Sequence, residues 1–104
     1  MDWKRMLHTV NKSPTESDKL ETCLRFTQAG HAVLLIENAV YAALAESAMA
    51  GQWPDKSSGI TVYVLTPDLA ARGLLGRTLN PGIRQIDYPG FVRLVTENDV
   101  VQSW

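Results

Sequence analysis

The chain has 104 residues, of which 45% are hydrophobic and 20% are charged, and its formal net charge is -1. This length fits one compact domain, so we expect a single domain over residues 1–104. Because charges of both signs are scattered along the chain, the composition argues against a surface for nucleic acid or anionic membranes.

The longest apolar run and the cysteine count exclude further classes. Residues 39–45 are apolar but too few to cross a bilayer, and the region around Trp3 lacks the apolar core of a secretory signal. We therefore expect a cytoplasmic protein without membrane contact. Cys23 is the only cysteine, which excludes an internal disulfide and a cysteine-rich metal site.

The first segment predicts a strand followed by a helix. Residues 6–10 are mostly apolar and lead into turn-forming residues, as at the end of a strand. Residues 13–16 (Ser-Pro-Thr-Glu) have the form of a capping box with proline at the first helical position, and Thr15 and Ser17 are alternative caps. Helical spacing follows up to a stop at Gly30. The residues with this spacing are Leu20, Cys23, Leu24 and Thr27.

The middle of the chain predicts strand, helix, loop and strand. Residues 32–36 are apolar without alternation, which is typical of a strand covered on both faces. Residues 39–49 are rich in helix-forming alanine and predict a helix. Residues 52–59 are polar and predict a loop, and residues 60–65 predict the third strand.

The last third predicts two more helices and two more strands. Residues 66–68 (Thr-Pro-Asp) have the form of a helix start, and Gly73 ends that short helix. Residues 83–87 predict a fourth strand whose final aspartate caps a helix centred on residues 91–95. Residues 100–101 predict a short fifth strand.

This alternation predicts a small doubly wound, three-layer α/β domain with a mostly parallel five-stranded sheet. In such sheets, functional residues gather where the strands end. The segments concerned are residues 9–13, 37–40, 66–68 and 87–90.

The sequence offers little for a phosphate, nucleotide or metal. Residues 11–14 follow the first strand without a glycine, and neither a dinucleotide fingerprint nor a P-loop occurs. His8, His31 and Cys23 lack the spacing of a metal site. We expect no cofactor and no metal.

Cys23 and His8 are the candidate catalytic residues. A thiolate can carry a sulfur atom as a persulfide, but activation requires a nearby cation or a helix N-terminus. Cys23 instead falls on an apolar helical stripe, so an inert core cysteine is the alternative. His8 lies near the end of the first strand and either assists chemistry or holds a neighbouring element. We expect His31 to be a solvated loop residue.

The predicted helix over residues 39–49 is apolar on its outer side as well. Such a surface indicates an interface, with Val40, Tyr41 and Leu44 as candidates, or it reflects only the helix propensity of alanine. Trp104 and Trp53 are further aromatic residues that a partner could bury.

Four segments together resemble the DsrH/TusB family over about residues 6–104, which leaves residues 1–5 as an N-terminal extension. No single segment is diagnostic, but their order along the chain is specific. The segments are residues 7–14 (LHTVNKSP), 34–36 (LLI), 62–69 (VYVLTPDL) with Arg72 and Gly73, and 86–92 (IDYPGFV) with residues 102–104 (QSW).

The resemblance implies a subunit of a cytoplasmic sulfur-relay complex. Such subunits form a heterohexamer with DsrE/TusD-like and DsrF/TusC-like chains, two copies of each. The complex takes persulfide sulfur from a TusA-like carrier and passes it to a DsrC/TusE-like acceptor. The relay serves sulfur oxidation in the Dsr branch and 2-thiolation of the tRNA wobble uridine in the Tus branch.

In this family the principal sulfur-carrying cysteine belongs to the DsrE/TusD-type subunit, so this chain is expected to be auxiliary to a catalytic one. Cys23 resembles a cysteine of DsrH-type members that some TusB-type members lack, which favours the Dsr branch. Three hypotheses follow: an interaction subunit without thiol chemistry, a carrier that uses Cys23, and a flavodoxin-like binder of a small ligand.

Overall fold

A computed structural model describes residues 5–104, so the first four residues of the expected N-terminal extension lie outside the described residues. Over the described range, strands and helices alternate along the chain. The strands are β1 (Met6–Val10), β2 (Ala32–Leu35), β3 (Thr61–Leu65), β4 (Ile83–Ile86) and β5 (Val100–Ser103). The α-helices are α1 (Lys19–Phe26), α2 (Thr66–Ala71) and α3 (Tyr88–Glu97), and two 3-10 helices span Glu37–Ala43 and Lys56–Ser58.

All neighbouring strands of the sheet are parallel, in the order β4-β3-β2-β1-β5. β1 lies between β2 and β5, so His8 stands opposite Val33 on one side and Gln102 on the other. The predicted α/β class with a parallel five-stranded sheet is confirmed. Parallel pairing follows from the long connections, since parallel strands need a crossover of a dozen or more residues.

The two faces of the sheet are covered unequally. α1, the 3-10 helix Glu37–Ala43 and α2 pack on one face, where they share the larger apolar core. Among the elements of residues 5–104, only α3 covers the other face, and it packs Leu94 and Phe91 against the smaller core around Leu34. The larger core therefore contains most of the buried apolar side chains, and the face under α3 has thinner cover.

The α-helix predicted over residues 39–49 is wrong. A 3-10 helix spans Glu37–Ala43, and Leu44 is extended, with φ -64° and ψ 140°. The carbonyls of Ala43 and Leu44, which an α-helix would satisfy internally, accept hydrogen bonds from the buried Asn80 at 2.8 Å each, through its backbone N–H and its side-chain Nδ2. Tertiary hydrogen bonds therefore replace the helical ones and override alanine's helix propensity.

The helix predicted to start at residues 13–16 starts later. The carboxylate of Glu16 accepts from the backbone N–H of Ser13 at 3.1 Å, as in a capping box, but these residues form a separate turn. Asp18 precedes the first residue of α1. The helix ends at Phe26 rather than near Gly30, because Thr27 is already extended.

The predicted caps of the other helices are confirmed at α3 and replaced at α2. The carboxylate of Asp87 accepts from the backbone N–H of Gly90 at 2.9 Å, which satisfies one of the free amides at the start of α3. At α2, Leu65 occupies the cap position without a side-chain bond. The carboxylate of Asp68 bonds instead to the backbone N–H of Glu37, at 2.6 Å.

Candidate functional site

Cys23 lies on the inner side of α1 and has no solvent-exposed surface. Its Sγ lies 3.9 Å from Oγ1 of Thr27, which donates to the Cys23 carbonyl at 2.7 Å. Burial raises the pKa of the Cys23 thiol to about 11, against a smaller lowering by Thr27. At neutral pH the thiol is protonated and enclosed, so it lacks both the charge and the access of a nucleophile.

His8 is buried in β1 and uses both ring nitrogens. The indole Nε1 of Trp104 donates to His8 Nδ1 at 3.0 Å, and His8 Nε2 lies 3.1 Å from Nδ1 of His31. The ring therefore connects the residue after β5 to the residue before β2. This is the arrangement of a side chain that holds neighbouring elements together.

The expectation that His31 is a solvated loop residue is wrong, because the side chain is only 8% exposed. Its Nδ1 faces His8 and also accepts from the backbone N–H of Gln28 at 3.3 Å. No spacing rule in the sequence relates His8 to His31, since they meet only when β1 and β2 pair. We call Trp104, His8 and His31 the histidine–tryptophan chain.

Burial lowers the pKa of both histidines. Desolvation lowers the pKa of His8, and the charge that His31 would carry lowers it further. Desolvation also lowers the pKa of His31. Both rings are therefore neutral at physiological pH, as the hydrogen-bond directions of the histidine–tryptophan chain require.

Trp104 is fixed by its backbone as well as by its indole. Its backbone N–H donates to the Thr9 carbonyl at 2.9 Å, which continues the pairing of β5 with β1. The indole also packs beside Phe26, with ring centroids 5.8 Å apart, and Phe26 is 63% exposed. Trp104, an interface candidate from the sequence, is thus partly buried within its own chain.

Two of the other interface candidates are not surface residues. Val40 has no exposed surface and Leu44 is 7% exposed, because the 3-10 helix packs both into the larger core. Tyr41 is 41% exposed and is the only one of these three that a partner can reach directly. The apolar run over residues 39–45 is explained mainly by burial inside the domain.

An apolar surface that sequence reasoning missed lies on α3. Tyr88, Val92 and Val95 are 57%, 63% and 40% exposed and face away from the buried Leu94. Their spacing of four and three residues places them on one side of the helix. We call these three residues the α3 stripe. The sequence signal for it is that Tyr88, Val92 and Val95 recur at helical spacing on a different side of the helix from the inward-facing Phe91 and Leu94.

The strand ends predicted to gather functional residues do meet around β1, β2 and β3. The guanidinium of Arg72 donates to Asn38 Oδ1 at 3.1 Å and 3.0 Å, which fixes the segment after β2 to the end of α2. Beside them lies an open cleft of about 540 Å³. Residues that line it include Ser13, Glu16 and Tyr41.

The pKa of Glu16 in this cleft is lowered, mainly by the hydrogen bond from the Ser13 backbone. Across residues 5–104 no group of three or more histidine, cysteine or acidic side chains is placed to hold a metal ion. Within that same range no helix has both the length and the apolar character needed to span a bilayer.

Comparison with known proteins finds a matching family model and similar proteins of named families. The family model described as "DsrH like protein" matches residues 12–101. The TusB proteins of Pectobacterium parmentieri and Shigella flexneri are each 37% identical over 99 residues, which cover 95% of this chain and all of either relative.

A solved structure shares the fold at low sequence identity. The crystal structure of the ychN protein from E. coli aligns with a TM-score of 0.77 at 17% identity, and the alignment covers 98% of this chain and all of that one. That likeness shows the fold alone. The family match and the relatives show more: the chain belongs to the DsrH/TusB family.

Proposed function

We propose that this chain is a partner-binding subunit of a cytoplasmic sulfur-relay complex and that it contributes no thiol chemistry of its own. The observation that carries this proposal is the state of Cys23, which is fully buried and whose pKa is raised to about 11. A persulfide carrier must present a thiolate to a donor and an acceptor in turn, and an enclosed, protonated thiol does neither.

The partners we propose are TusD-like and TusC-like chains, in a heterohexamer with two copies of each subunit. A TusA-like protein would supply the sulfur and a TusE-like protein would receive it, both through the TusD-like subunit. Family membership supports this proposal, and so does the presence of an exposed apolar surface on a chain whose thiol is enclosed.

We propose the α3 stripe as the surface that meets a partner. Tyr88, Val92 and Val95 form an exposed apolar side on α3, which covers this face of the sheet. A side chain of this size contributes about 1.5–3 kcal/mol when it passes from exposed to buried. A partner chain that covers the stripe would also complete the thin layer on that face.

The destination that we propose for the sulfur is tRNA 2-thiolation. The relatives that match over their whole length are TusB proteins, whereas the presence of Cys23 is the feature that favours the Dsr branch. Because Cys23 is buried, packing explains its presence, and the cysteine is therefore weaker support for the Dsr branch. Deleting the gene and measuring 2-thiouridine in tRNA tests this choice: unchanged thiolation, with impaired oxidation of stored sulfur, would favour the Dsr branch instead.

The interaction role is tested by co-expressing the chain with its TusC-like and TusD-like partners and weighing the complex by native mass spectrometry. We expect a hexamer with the wild-type chain and loss of this subunit with Val92→Glu. Arg93→Glu is the matched control, because it adds negative charge to the same helix beside the stripe. A hexamer that forms normally with Val92→Glu places the contact elsewhere, and a wild-type chain that never assembles overturns the interaction role.

The alternative of a flavodoxin-like ligand binder has a separate test. That hypothesis predicts a flavin or nucleotide absorbance that purifies with the protein at a fixed ratio. A colourless preparation, free of nucleotide, would contradict it.

A further inference from the structure

The histidine–tryptophan chain has a fixed direction. An indole nitrogen only donates, so the bond from Trp104 Nε1 makes His8 Nδ1 an acceptor without a hydrogen. The hydrogen of neutral His8 is therefore on Nε2. That nitrogen donates to His31 Nδ1, which also accepts from the backbone N–H of Gln28 and so carries no hydrogen itself.

This direction leaves no place for an additional proton. If His8 takes the proton, Nδ1 gains a hydrogen and faces the indole N–H of Trp104, so two donors meet. If His31 takes it, Nδ1 of His31 becomes a donor. The bond to His8 then survives only when His8 accepts through Nε2 and moves its own hydrogen to Nδ1, which again faces Trp104.

Both charged states that keep the histidines bonded therefore deprive the indole of its acceptor. A buried donor that meets another donor costs free energy comparable to the desolvation of that group. The indole can move away from His8, because Trp104 is only partly buried and its other ring contact is the exposed Phe26.

The charged surroundings do not compensate for a proton on either ring. α1 carries the buried Cys23, which is neutral, and three charged side chains that are exposed: Lys19, Glu21 and Arg25. β2 contributes apolar residues only, and β5 places Gln102 opposite His8.

Other charged groups lie around a cleft that His31 lines. Arg5 and Glu97 line the same cleft as His31, and the Asp99 carboxylate accepts from the backbone N–H of Arg5 at 2.9 Å. Neither acid is hydrogen-bonded to a histidine in the described part of the chain. A proton that reaches the pair from this cleft is therefore not neutralised by a direct ion pair.

We propose that the histidine–tryptophan chain is a proton-operated latch: one proton on the His8–His31 pair releases the indole of Trp104 from β1. Release loosens the end of β5, which is an edge strand, and changes the aromatic surface that Trp104 forms with Phe26. The desolvation that lowers the pKa of both histidines places release on the acid side of 6.5, the ordinary value.

The direct test is a pH titration of the full chain followed by nuclear magnetic resonance. Above pH 7, we expect the nitrogen shifts of His8 to show a hydrogen on Nε2 and the indole N–H of Trp104 to be protected from exchange. As the pH falls, the indole resonance moves together with the histidine nitrogens, and its exchange protection drops by about tenfold, as for the loss of one net hydrogen bond.

The variant His8→Gln provides a second test, because it removes the titrating ring at the centre of the histidine–tryptophan chain. We expect the Trp104 indole resonance of this variant to be independent of pH between 8 and 5, with the Trp53 indole as an internal reference in both proteins. A wild-type indole that stays protected while the histidines titrate overturns the latch. A wild-type pH response that persists in His8→Gln also overturns it.

Discussion

The indole nitrogen of Trp104 lies 3.0 Å from Nδ1 of His8, so a residue that follows the last strand is bonded to one in the first strand. The two are 96 positions apart in the sequence, and β1 and β5 are neighbours in the sheet. This bond orients the buried imidazole, which in turn donates to His31. It explains a histidine inside the sheet without assigning that histidine a role in catalysis.

Trp104→Phe tests the structural value of this bond. The variant keeps an aromatic ring but leaves His8 Nδ1 without a donor at a buried site, so we expect a loss of about 1–3 kcal/mol in the free energy of unfolding. Denaturant titration measures it.

Trp53→Phe is the matched control. The Trp53 Nε1 is buried but has no hydrogen-bond partner in the described chain, so its removal breaks no bond. An equal or larger loss for Trp53→Phe would show that ring size, rather than the bond to His8, determines the cost.

Acid should destabilise the fold through the two histidines. Their pKa values are lowered in the native state, so below pH 6.5 the unfolded chain binds more protons than the folded chain. The free energy of unfolding then decreases as the pH falls from about 6.5 toward the native pKa values. The variant His31→Asn, which lacks one of the two groups, should show a shallower decrease over this window; an equal slope would contradict the assignment.

Alkali should destabilise the fold through Cys23. In the folded protein the pKa of the Cys23 thiol is raised to about 11 from 9.0. The protonated thiol therefore contributes its full stabilisation below pH 9, and this contribution is lost as the pH rises through 11. Two pKa units correspond to about 2.7 kcal/mol. Cys23→Ala should lack this component, while the other alkaline groups titrate alike in both proteins. Parallel stability curves for the two proteins between pH 8 and 11 would show that the thiol ionises freely in the fold.

Asn80→Ala should destabilise the segment that was expected to be an α-helix. Asn80 is buried, and its side chain donates to the Leu44 carbonyl at 2.8 Å, so the variant leaves that carbonyl with only the Ser47 backbone N–H, at 3.0 Å. We expect a loss of about 0.5–1.5 kcal/mol in the free energy of unfolding, as for one net hydrogen bond. Asn98→Ala is the control: its side chain donates to the Leu94 carbonyl near the more exposed end of α3. An equal loss of stability in Asn98→Ala would contradict the importance of the Asn80 side chain.

The order of strands and helices was predictable from the sequence because it depends on local signals. Residues 32–36 are apolar without interruption, and Asp87 before Tyr88-Pro89-Gly90 has the form of a helix start; both produced the expected elements. Residues 39–49 did not, since their local propensity is helical but Asn80, from a distant segment, takes up their carbonyls. No local pattern reveals such a competitor.

The candidate site was predictable only in part. Residues at helical spacing around Cys23 indicated an apolar environment, and its burial agrees with the alternative of a core cysteine. His31 could not be placed correctly, because its burial depends on the pairing of β1 with β2 and on His8. The α3 stripe was readable from the sequence, because Tyr88, Val92 and Val95 recur at helical spacing.

The central claim is that this subunit acts through binding and not through its thiol. The most direct test incubates the assembled complex with a persulfide donor and records the intact mass of every subunit before and after reduction. We predict that the TusD-like subunit gains a reducible sulfur atom and that this chain gains none. A reducible sulfur atom on the wild-type chain that is absent from Cys23→Ala would contradict the claim and make Cys23 a carrier.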